Sequence, residues 1–152
     1  MKSLLNSLFN TEILERIEKI RTDDAALWGE MSAHQMLVHC TDQLRMSFGE
    51  ISSAYRGTLM SSTLVKILVL LGIPIPKGKI KTTDELKQGV GGSQLTSFGE
   101  DKKILTELVT NFDSKYGVRG FRKHPAFGDL NKHQWGRLAY LHLDHHLKQF
   151  GR

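Results

Sequence analysis

The chain has one cysteine, Cys40, so no intramolecular disulfide can form. That suits a reducing cytosol. No Gly-rich phosphate loop and no nucleic-acid motif is present, which sets nucleic acid aside as a partner despite a net charge of +5. The basic residues are scattered. Two small groups, Lys77/Lys79/Lys81 and Arg119/Arg122/Lys123, read as solvated loops whose most specific use is attraction of an anionic ligand. Long apolar runs are also lacking. The most apolar stretch, residues 64–75 (LVKILVLLGIPI), carries Lys66, ends in Gly and Pro, and is too short to cross a bilayer. The opening MKSLLNSLFNTEILER lacks an extended apolar segment and a small-residue cleavage site, so it reads as no signal peptide. The expectation is a cytoplasmic protein that engages neither membrane nor nucleic acid. Its 152 residues read as a single domain, long enough to bury one core.

The apolar residues that are present recur with a helical period nearly throughout, and no segment with a strand period competes. Ile13, Leu14, Ile17 and Ile20 mark a first short helix. Trp28-Gly29-Glu30 reads as a break. Ser32 followed by Gln35 matches a capping box and starts a second helix, with Ala33, Leu37, Cys40, Leu44, Phe48 and Ile51 on its apolar face and fraying near Gly49. A third helix is expected over about residues 55–71, stopped by the prolines and glycines of residues 72–78. Residues 77–97 read as a long loop, a common place for function in a compact domain. Ile104, Leu105, Leu108, Val109, Phe112 and Tyr116 define a fourth helix, with Gly117 as its terminating residue. After the loop GVRGFRKHPAFGDL, Asn131 with Gln134 opens the last helix, which runs to about Gln149. The sum is an all-α domain: a short N-terminal helix plus four longer ones, most simply a four-helix bundle.

That last helix carries LHLDHHLKQF, with three histidines within five residues. At about 100° per residue, His146 lies about 40° from His142, Trp135 about 20°, Leu138 about 40° and Ala139 about 60°. His142 and His146 therefore share the face that points inward, with His145 at its flank. Two imidazoles one turn apart can ligate one metal ion. Two buried imidazoles without acceptors would otherwise be costly. Asp144 points about 160° away and is set aside as a ligand. Further ligands are open at this stage. His39 sits at the edge of the second helix's apolar face, between Gln35 and Gln43. His34, in the capping box, and His133, in the first turn of the last helix, read as solvent-facing. His124, before Pro125, could reach the mouth of a site. Cys40 reads as a small core hydrophobe.

Several of these residues carry a family resemblance. Trp28, Met31-Ser32-Ala33-His34-Gln35-Met36-Leu37-Val38-His39 resembles the helix start of the DinB/YfiT-like superfamily. His124-Pro125-Ala126-Phe127-Gly128, Trp135-Gly136 and the run from His142 to Gly151 resemble the end of a branch of that superfamily known only as a domain of unknown function. Pro76-Lys77-Gly78-Lys79 fits the same branch. The resemblance runs from about Trp28 to Gly151. It implies an antiparallel four-helix bundle with up-down-down-up connectivity. It also implies a divalent metal, zinc first and nickel, manganese or iron next, held by His39, His142 and His146. Relatives include transferases and isomerases that use low-molecular-weight thiols such as bacillithiol or mycothiol, and metal-dependent hydrolases. Many are homodimers.

Two functions follow for the sequence to be tested against. In the first, three neutral nitrogens leave an open coordination position, the arrangement of a catalytic metal. Water or a thiol cosubstrate would be activated there against a small electrophilic substrate, with His124 or His145 as candidate assisting groups and residues 77–81 steering an anion. In the second, the chain is a non-catalytic dimeric bundle, a binding or stress-response module with a structural metal or none.

Overall fold

The computed structural model describes residues 1–52, 54–73, 90–119 and 123–152, with side chains left aside at 116–119. The expected helix stop at 74–78, the basic group at 77–81, most of the long loop, and Arg122 lie outside the described residues. Six helices follow in order: α1 (Ser7–Glu18), α2 (Ala33–Ser47), α3 (Lys66–Leu71), α4 (Phe98–Thr110), α5 (Phe112–Arg119) and α6 (Lys132–Gln149). A π-helical turn, Ser61–Val65, leads into α3. Among the described residues there is no strand, only an isolated bridge pairing His124 with Gly128. The molecule is all-α, and none of its described helices is long and apolar enough to cross a membrane.

Local chemistry sets the two helices that matter most. Ser32 accepts from the Gln35 backbone N–H while the Gln35 side chain accepts from the Ser32 N–H, so both orphan donors at the start of α2 are satisfied. Asn131 and Gln134 do the same for α6. The long-range contacts then fix direction. Met46, late in α2, clusters with Trp135 and Leu138, early in α6. The Gln149 side chain, at the end of α6, donates to the Trp28 carbonyl just ahead of α2. These two helices thus run antiparallel. So do α1 and α4: Asn10 donates to the Val109 carbonyl, and Lys102 donates to the Glu18 carbonyl.

Three elements differ from what the sequence suggests. First, α1 is no outlier: Ile13 and Ile17 are fully buried, and the helix packs on both α4 and α6. The peripheral helix is α3, which rests on α6 and buries only Val69 while Leu59, Leu64, Ile67 and Leu71 are exposed around it. Second, the expected fourth helix is two. The Asn10 amide takes the Val109 carbonyl from outside, and the chain turns at Asn111 before restarting with Phe112, buried against Phe48. Third, Gly117 does not end that segment, since α5 continues to Arg119.

Candidate metal centre

Three histidines from two antiparallel helices meet inside the molecule. His39 comes from α2; His142 and His146 come from α6, one turn apart. Their ring centroids are 5.0, 4.8 and 4.6 Å apart, and one nitrogen from each ring lies within 4.8 Å of the others. The Nε2 atoms of His39 and His142 stand 3.2 Å apart. Two nitrogens on one tetrahedral zinc, each about 2.0–2.1 Å from it, stand roughly 3.3 Å apart, so this spacing suits a shared ion. His39 and His146 are buried; His142 keeps a partly exposed edge although its Nδ1 is buried.

The charge state fits as well. Burial drives the His142 imidazole well below its ordinary pKa, and the neighbouring His146 and His39 push it further. Burial brings His146 down to about 3, assisted by the charge of His39. Both rings are therefore neutral at pH 7, with a lone pair to offer.

One partner settles which lone pair His146 presents. Its Nδ1 faces the Gln149 side-chain oxygen at 3.0 Å, and an amide oxygen only accepts, so Nδ1 carries the hydrogen and Nε2 is free to bind. Gln149 is held in turn, donating from Nε2 to the Trp28 carbonyl at 2.6 Å. This approach requires glycine at position 29. Gly29 has φ +79°, and a Cβ there would sit 2.6 Å from Gln149 Nε2. Trp28-Gly29, a mere break in the sequence, is thus the wall that fixes Gln149, which fixes His146. Gln149→Leu should weaken metal binding about 10–100-fold with the fold intact, read by competition against a chromophoric chelator. Unchanged affinity would remove Gln149 from the site.

The remaining histidines fall elsewhere. His145 is exposed at the flank, its ring 5.9 Å from Trp28 and 5.1 Å from His146. His133 is exposed. His34 does not face open solvent as expected: it is only partly exposed and pairs with Asp101 at 2.7 Å, because the segment before α4 folds onto the start of α2. His124 stands in the turn before α6, against Trp135 rather than among the three. Asp144 is turned away, paired with Arg16 and Lys148. Cys40 is buried beside Met36, and burial pushes its thiol far up, so it is no ligand thiolate. Gln149 could have been found in the sequence by its i+3 spacing from His146. The role of Gly29 had no local signal.

No curated protein and no solved structure matches this chain. Its sequence matches the family described as "Protein of unknown function (DUF1569)" over residues 5–152. Nearly the whole chain lies within that match, from α1 to the last residue of α6 and beyond: the protein belongs to the DUF1569 family.

Proposed function

We propose that the protein is a divalent-metal-dependent enzyme acting on a small electrophilic substrate by hydrolysis or thiol transfer. The observation that carries this is the buried cluster His39/His142/His146, three imidazole donors of which His142 and His146 are held neutral, with His142 open at its edge. Three nitrogens leave a fourth coordination position, which distinguishes a catalytic site from a closed structural one. A divalent cation, zinc by donor chemistry, supplies Lewis acidity sufficient to deprotonate a water or a thiol near neutral pH. The chain's own part is orientation. Gln149 aims His146, and the packing of α2 on α6 brings His39 across to His142.

The packing of α1, α2, α4 and α6 on one another supports reading them as a four-helix bundle of the DinB/YfiT-like kind, with α3 an addition. That likeness extends the proposal to a cytoplasmic homodimer. The test is elemental analysis of the purified, untagged protein before and after dialysis against a chelator, then assay of the loaded form with activated esters and with electrophile plus thiol. Near-stoichiometric metal and chelator-sensitive turnover are expected. No metal after reconstitution with Zn²⁺ and with Ni²⁺ would overturn the proposal and leave a non-catalytic helical protein.

A further inference from the structure

His124 is placed with more care than a turn requires. It opens the turn 124–128, closed by two backbone hydrogen bonds between His124 and Gly128 of 2.8 and 2.9 Å. Its Nδ1 accepts from the backbone N–H groups of Ala126 and Phe127, both at 3.1 Å. A nitrogen that accepts twice carries no hydrogen, so the neutral ring holds its hydrogen on Nε2. The ring stacks on Phe127 at 4.5 Å and leans on Trp135 at 5.5 Å. Burial lowers its pKa to about 4, so the ring stays neutral. No described residue accepts from Nε2: the hydrogen bonds of this side chain are made by Nδ1. The result is a fixed, neutral N–H donor on a partly exposed ring, with no described residue taking it up.

Its position gives that donor a use. Trp135, which it touches, lies two turns along α6 from His142 on the same face. On the facing helix, Gln43 sits one turn beyond His39, toward the Trp135 end; it is 4% exposed and its Oε1 has no partner. Beside these unspent polar atoms lies the apolar cluster of Met46, Val69, Phe127, Trp135 and Leu138.

An Asx-type turn explains half of this. Asn or Asp at position 124 would accept from the same two N–H groups. Neither would offer a second, rigid donor on the far side of the ring. Resting on the metal-enzyme reading above, we propose that His124 is a substrate-orienting residue whose Nε2–H bonds the acyl oxygen of a small, largely apolar amide or ester held at the three-histidine centre.

The experiment uses acetohydroxamate, which offers an acyl oxygen and binds metals, as the probe. Zinc content is measured first, for the wild type and for His124→Asn, and acetohydroxamate binding is then measured on the zinc-loaded proteins by calorimetry. Equal zinc content is expected, with acetohydroxamate bound about tenfold or more weaker by His124→Asn, the loss of one hydrogen bond. Equal affinity would show that His124 only closes the turn, and would overturn the proposal. So would zinc-loaded wild type that ignores the probe. Failure of the three-histidine reading would show earlier and separately, as wild type without zinc. Should His124→Asn not fold, nitrogen NMR of the wild type decides. The metal-free protein should show His124 protonated at Nε2 alone from pH 6 to 8, and acetohydroxamate should move that resonance in the zinc form. An unmoved resonance would overturn the proposal.

Discussion

Metal-free protein should lose most of its stability between pH 6.5 and about pH 4, well before its carboxylates titrate. Three histidines are responsible. Burial holds His146 at about 3 and His124 at about 4, and holds His142 well below its ordinary value. Each is neutral when folded and takes a proton near pH 6.5 when unfolded. Below pH 6.5 the unfolded chain binds more protons than the folded one, so stability falls as pH falls. Each such group contributes about 1.4 kcal/mol per pH unit until its folded pKa is reached. His124 and His146 together then cost roughly 3 kcal/mol per unit, and two units approach the whole stability of an ordinary domain. The lowered carboxyls of Asp101 and Asp144 act in the same direction but only below about pH 4, in a separate window. Urea unfolding followed by circular dichroism at pH 7, 6 and 5 reads this directly. A midpoint constant from pH 7 to pH 5 would mean that these imidazoles are not held neutral inside the fold. Bound metal should move the loss to lower pH, because protons must first displace it.

How much of this was legible depends on how far each cause lies along the chain. The caps at Ser32/Gln35 and Asn131/Gln134 act within three residues, and both form as the spacing says. The inward face of α6 is legible for the same reason: Trp135, Leu138, Ala139 and His146 repeat with the helix and are all buried. Periodicity could not place His39. Packed by α4 and α6, α2 buries Thr41, Asp42, Gln43 and Ser47 as well as its apolar residues, so it has no single face for a pattern to mark. Asp42, for example, is buried accepting from Ser93 in a distant segment. At the break before Phe112 the Val109 carbonyl is taken by Asn10, about a hundred positions away, a contact that no local rule contains. Apolar content misleads at α3, because composition says that a helix wants cover and not that it has any. Gly29 and the ring of His124 belong to the same class. Each is ordinary in its own window and acquires a role only when the chain returns to it.

Replacing both His39 and His142 with leucine should abolish metal binding and make the metal-free protein more stable than the wild type. Loss of two of three donors should lower affinity more than about a thousandfold, beyond the effect of any supporting residue. The stability gain follows from what the His142 ring lacks without a metal. His142 Nδ1 is buried with no partner, and its Nε2 faces another imidazole nitrogen at 3.2 Å. A buried polar atom left unpaired costs about 1–3 kcal/mol, whereas removing both members of a buried polar pair in favour of apolar groups is neutral or stabilising. Leucine at 142 would also join the face that already carries Leu138 and Ala139. The single variant His142→Leu should therefore be less stable than the double, since it sets a methyl group against the Nε2 of His39. A rise of roughly 2–8 °C in Tm for the double variant, in chelator, matches that range for a chain of this size. The comparison separates the two functions directly. If the histidines were a hydrogen-bonded core of a binding protein, the double variant would melt well below the wild type. If they are kept for a metal, the fold is better off without them until the metal is present, and only the loaded wild type should surpass the double variant.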